Sequence, residues 1–223
     1  MKKLLFIAAA IFAGAFSSWA DTSYLLIQGD FGVGGTEQTY LWKVLYQPGS
    51  LSTSQDLLNT VFGQPVDTGT TFTETYGTYE VYQAGTSQNK VDYLQFSFGK
   101  FVLSYTLNGV TVTMDPSTDP GWSSFVAGGS GEYANPDYTP GNYAAGTWTY
   151  SNDGLTTRSL ANGSFDGWSF GDGSGISGGD TTYAPTAQNF ANATVITVNA
   201  VPEPGSAALL LAGTIGLAWR RRQ

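Results

Sequence analysis

Between Asp21 and Ala200 the apolar residues come in short runs, and turn formers cut each run off. The run at 24–27 stops at Gly29-Asp30, and the run at 39–46 stops at Pro48-Gly49. The run at 101–107 meets Asn108-Gly109 and resumes at 110–114. A helix needs an uninterrupted apolar period over about 10–12 residues, whereas a strand needs only about 4–8. The punctuation therefore favours strands. Asn-Gly is the strongest of these marks, because a two-residue hairpin turn puts both central residues at positive φ. Further strands are expected at 79–83, 91–98, 122–126, 147–150, 165–170 and 193–198. The first two runs, joined through Gly32 to Gly35, predict a hairpin. Residues 115–146 read as a long loop with one short strand, and 171–190 as a second loop.

One stretch breaks the pattern. Over 54–63, Leu57, Leu58, Val61 and Phe62 recur at the spacing of one helical face. Thr53 or Ser54 suits the N-cap, Asp56 the first turn and Gly63 the end. These four apolar residues are expected in the core. Charged residues make up only 12 % and aromatics 14 %, the opposite of a disordered chain. The expected fold is a single mainly β (α+β) domain over 21–200, with antiparallel strands and one short helix near 54–63. A β-sandwich is the alternative.

Residue types missing from the chain narrow its chemistry. There is no His and no Cys. Ser-His-Asp and Cys-His catalysis are excluded, as are imidazole and thiolate metal sites. No cofactor is expected. A pI near 4.2 argues against nucleic acid, whose phosphates need cationic partners. Residues 21–200 hold 16 of the 17 acids against Lys43, Lys90, Lys100 and Arg158, a formal charge of −12.

Both ends read as addresses. Residues 1–20 have the three parts of a secretory signal peptide: Lys2 and Lys3, an apolar run over 4–16, and small residues Ser18 and Ala20 at −3 and −1 of a cleavage site. The apolar run is too short to span a bilayer, which takes about 20 residues. At the other end Pro202 and Pro204 hold the backbone extended around Glu203. Residues 205–219 then run without a charge. As a helix they would extend about 22 Å, short of a hydrocarbon core of about 30 Å. Bilayer thinning and arginine snorkelling accommodate the difference. Arg220, Arg221 and Arg222 would stop transfer and stay cytoplasmic, which places the acidic body outside.

The order Val201-Pro202-Glu203-Pro204, apolar helix, arginine cluster resembles the PEP-CTERM protein-sorting signal of Gram-negative bacteria. The likeness covers 201–223. It implies recognition by an exosortase, a membrane-embedded protease that cuts near Pro-Glu-Pro. It further implies transient anchoring in the inner membrane, then release to the cell surface or extracellular matrix alongside exopolysaccharide and biofilm. The expected partners are the general secretory machinery, signal peptidase, the exosortase, the membrane and exopolysaccharide. The body shows a second resemblance, to the β-grasp domain of the transcobalamin-C-terminal-like (DUF4430) class. It rests on the first hairpin, the helix at 54–63, the Asn108-Gly109 turn and Trp122-x-x-Phe125, with the run from Asn162 to Trp168 as an approximate counterpart of a Gly-Asp turn and Trp. That resemblance implies a binding module, and no ligand residues carry over.

Three chemistries remain for the body. Paired carboxylates could hydrolyse glycosides, but no spacing singles out a pair among the acids. Asp166, Asp172 and Asp180 lie in Gly-rich sequence, where loops can bind Ca²⁺; they suit turns equally well. Trp122, Trp148 and Trp168 are candidates for stacking on sugar rings; the alternative is that they fill the core. The first expectation is thus a non-catalytic surface or matrix protein. A carbohydrate- or ligand-binding module is the second, and a secreted carboxylate hydrolase the third.

Overall fold

The computed structural model describes residues 20–74, 77–97, 99–114, 120–127, 148–151, 153–172, 184–185 and 192–200. The elements in order are β1 (Asp21–Gly29), β2 (Gln38–Tyr46), α1 (Ser54–Phe62), β3 (Val66–Glu74), β4 (Gly77–Gly85), β5 (Lys90–Phe96), β6 (Gly99–Leu107), β7 (Val110–Thr113), β8 (Pro120–Ala127), β9 (Thr149–Tyr150), β10 (Phe165–Asp172) and β11 (Thr194–Asn199). The mainly β reading with one short helix holds. The predicted helix at 205–219 lies outside the described residues, and among those residues no helix is long and apolar enough to cross a membrane.

The strands form two sheets. The larger has the order β11-β2-β1-β10-β8-β9, and the smaller has β3-β4-β5-β6-β7. The predicted hairpins are present. β1 pairs antiparallel with β2. β6 pairs with β7 through Asn108 at φ 49° and Gly109 at φ 79°, the positive pair that a tight hairpin turn requires.

Two findings correct the sequence reading. The strands are not all antiparallel, since β10 lies parallel to β1 and β11 parallel to β2. Parallel neighbours need a crossover of a dozen or more residues, and the long segments before β10 and before β11 supply that length. The second correction is β3, a strand where none was expected. Its sequence is threonine-rich and carries Asp67, Gly69 and Glu74, so the apolar pattern was silent there.

The two sheets share one core. Leu25, Ile27, Trp42 and Val44 of the larger sheet meet Val91, Tyr93, Tyr105 and Leu107 of the smaller. α1 closes this core with Leu57, Leu58 and Phe62. Phe62 lies 5.7 Å from the Trp42 ring and 6.0 Å from Tyr105. Its capping box is complete: Thr53 accepts from the Asp56 amide, and Asp56 accepts from the Thr53 amide.

The larger sheet is also covered on its far face. Tyr24, Leu26, Leu41, Phe125 and Phe165 form a second cluster with Trp148. Tyr24 and Phe165 stack at 4.2 Å, 6° from parallel. A side chain at Gly167 would place its Cβ 2.7 Å from the Trp148 ring, so glycine is what lets the indole lie on β10. Strand β1 is consequently buried on both faces, with Leu25 and Ile27 on one side and Tyr24 and Leu26 on the other.

Candidate functional site

The two segments read as addresses from the sequence adjoin the first and last described strands. Ala20 precedes β1 by one residue, and Ser18 lies outside the described residues. Cleavage after Ala20 would make the first residue of β1 the new N-terminus. At the other end the last described contact is the Ala200 amide donating to the Leu45 carbonyl at 2.8 Å. Val201, Pro202, Glu203 and Pro204 follow directly, and they and Arg220, Arg221 and Arg222 lie outside the described residues.

The sheet register brings these two ends together. Asp21 of β1 is opposite Tyr46 of β2, and Asn199 of β11 is opposite Leu45 of β2. β1 and β11 flank β2 on its two sides. With neighbouring strands about 4.8 Å apart, the two exits stand about 10 Å apart at one end of the sheet. Antiparallel pairing of β1 and parallel pairing of β11 are what achieve this. The parallel β2–β11 pair was not legible in the sequence.

Among the described residues one ion pair is buried on both sides. Arg158 and Asp166 are both buried, with Nη2 of Arg158 3.3 Å from Oδ1 of Asp166. The Ser54 hydroxyl donates to Oδ2 of Asp166, and Nη1 of Arg158 donates to the Ser159 carbonyl. Burial pushes the Asp166 carboxyl above its ordinary value, against the opposing pull of the Arg158 charge and the Ser54 hydrogen bond. The backbone of the same segment ties down the first turn of α1. The Ser54 amide donates to the Arg158 carbonyl at 3.1 Å, and the Gln55 amide to the Leu155 carbonyl at 2.9 Å. Two amides that a helix start leaves unpaired are thus satisfied by a distant segment. This arrangement holds α1 against β10. One signal for it was available: Arg158 is the sole arginine of the body and one of four cations there against 16 acids, and an arginine so outnumbered invites a carboxylate partner.

The other singled-out residues are placed as follows. Asp172 ends β10 opposite Pro120, and Asp180 lies outside the described residues. Among the described residues no group of three or more acids is placed to hold a metal ion. Trp148 and Trp168 are buried. Trp148 crosses Phe165 edge-on at 6.4 Å, and Trp168 meets Tyr105 at 6.1 Å. Trp122 is half-buried between Phe31, Tyr105 and Phe170, at 5.9, 4.7 and 5.2 Å. The three rings therefore lie within or against the core. Tyr93 and Tyr105 are buried beside them, and desolvation raises both phenols well above their ordinary value.

Residues 200–222 match the model of the PEP-CTERM protein-sorting motif. No curated protein and no solved structure matches the chain, and the β-grasp resemblance finds no support there. The match begins at Ala200, the residue that closes the last strand. It supports an exported chain that an exosortase sorts, with passage through the membrane to the cell surface.

Proposed function

We propose that this chain is a non-catalytic surface or matrix protein of a Gram-negative bacterium, held at the inner membrane by its tail and then cut near Pro202–Pro204 by an exosortase. The observation that carries this reading is the motif match at 200–222, set directly behind β11. Only four residues, Val201 to Pro204, separate Ala200 from the apolar run. Extended at about 3.3 Å each they reach about 13 Å. The anchored body would sit close to the bilayer, with its sorting motif in the gap between sheet and membrane. Both addresses leave from the same end of the sheet, so a chain still carrying them could fold with both ends in one membrane.

The non-catalytic part of the proposal draws on the missing His and Cys and on Asp166, whose carboxylate is engaged by Arg158 and Ser54. A role beside exopolysaccharide in a biofilm follows from the kind of signal the tail resembles. The test is the intact mass of the chain recovered from its own host, in membrane, surface and medium fractions. The expected species begins at Asp21 and ends near Pro202–Pro204. A membrane species that still ends at Gln223 in a host with an exosortase would make the tail a permanent anchor. Turnover of a polysaccharide, abolished by one Asp→Asn change, would overturn the non-catalytic reading.

A further inference from the structure

Two asparagines of the chain open an Asn-x-Ser/Thr triplet with no proline in the middle: Asn162-Gly163-Ser164 and Asn192-Ala193-Thr194. In an exported chain this triplet is the acceptor pattern for attaching a glycan to the asparagine amide, which requires the amide and the hydroxyl two residues on to be reached together. The triplet alone carries little, since asparagine, serine and threonine also suit turns. The structure separates the two copies.

The first copy is closed. Gly163 sits at φ 84° in a turn where the Ser164 amide donates to the Ala161 carbonyl at 2.9 Å. The Ser164 hydroxyl is fully buried and accepts from the Ala161 amide at 2.8 Å. Oδ1 of Asn162 accepts from the Thr22 amide at 2.9 Å, and the Gly163 amide donates to the Thr22 carbonyl at 2.7 Å. These bonds tie the triplet to the start of β1, so an enzyme would have to open both the turn and the strand end to reach it. The second copy is presented. Asn192 and Thr194 are both exposed, and Thr194 is the first residue of β11. Ala193 between them packs against the second cluster, beside Tyr24, Leu26 and Trp148. The amide and the hydroxyl are thus open to solvent, with an anchored residue between them.

We propose that Asn192 is a glycosylation site and that Asn162 is not. In the reaction Nδ2 of Asn192 loses a proton and bonds the anomeric carbon of a diphosphate-activated glycan. The diphosphate leaves with the bonding pair, and nothing is oxidised or reduced. The place suits the load. The six residues of β11, at about 3.3 Å each, put about 20 Å between the sugar and the end that runs into the sorting motif. A glycan on Asn192 therefore leaves the segment to be cut clear. This inference rests on export of the body and does not depend on whether the tail is cut.

The test uses the chain recovered from its own host and digested with chymotrypsin, which separates the triplets because Trp168 and Phe170 lie between them. The peptide bearing Asn192 is expected to carry added sugar mass, and fragmentation that spares glycosidic bonds is expected to place it on Asn192. Asn192→Gln and Thr194→Ala should each lose that mass completely, Thr194→Ser should keep it, and Asn162→Gln should leave it unchanged. An exported chain, beginning at Asp21, whose Asn192 peptide is bare would overturn the proposal. So would sugar on Asn162, or sugar that survives Thr194→Ala. A chain that still begins at Met1 would overturn the export reading and this inference with it.

Discussion

The larger sheet contains two parallel pairings, and they differ in almost everything except geometry. β1 and β10 lie at its centre, covered on both faces. β2 and β11 lie at its edge, where β11 turns most of its side chains to solvent. The hydrogen-bond pattern is the same in both pairs. The difference is apolar burial, worth about 25 cal/mol for each Å² removed from water. Strand pairing sets register, and the layers above and below set how firmly a strand is held. The strand that leads into the sorting motif is thus the loosely packed one of the two.

Breaking the central pair is expected to cost most. Arg158→Ala removes one partner of a buried ion pair and leaves the Asp166 charge uncompensated, a loss of about 3–5 kcal/mol. Equilibrium denaturation in urea measures it. A loss below about 1 kcal/mol, the level of an exposed pair, would show that water reaches the node. Leu26→Ala empties space in the second cluster and is expected to cost about 2–5 kcal/mol in the same assay. A smaller loss would mean that the far face of β1 is only lightly covered.

The node also gives the comparison a pH signature. Asp166 titrates above its ordinary 3.8 in the folded chain because burial outweighs Arg158 and Ser54. Below 3.8 the carboxyl is neutral in both folded and unfolded chains. As pH rises, the unfolded carboxyl ionises first, so the stability this group contributes is lost as pH climbs from 3.8 through the higher folded value. The unfolding free energy of the wild type minus that of Asp166→Asn should therefore fall over this window. A difference that rises with pH would mean that the arginine wins over burial. The smallest effect is expected at the edge. Val195→Thr should change stability by no more than about 0.5 kcal/mol, and β11 amides should exchange with deuterium well before those of β1. Equal protection of the two strands would erase the distinction.

Several elements were legible locally. The capping box at Thr53 and Asp56, the four apolar residues of α1 and the Asn108-Gly109 turn each depend on residues within a few positions of one another. The buried node was not legible, because Ser54 and Asp166 are 112 residues apart. Asp166 in Gly-rich sequence looked like a turn residue or a cation ligand, and its surroundings instead hold it against an arginine. The tryptophans were ambiguous for the same reason. A ring that stacks on a sugar and a ring that fills a core have the same sequence, and only the neighbouring strand separates them. β3 escaped notice because its threonines carry β propensity without the apolar alternation that marks a half-buried strand.

By itself, then, the sequence determined the sorting motif at the C-terminal end, most of the short strands before it, the helix at 54–62 and the acidic, thiol-free chemistry of the body. These properties are written in residue type and near-neighbour spacing, which sterics, capping and hydropathy translate directly. The tertiary structure decided which strand became a centre and which an edge, where Arg158 found its carboxylate, and that Asp21 and Ala200 stand at one end of a sheet. Those outcomes depend on contacts between residues far apart in the chain. Their free energy comes from burial and pairing that exist only once the layers have closed over one another.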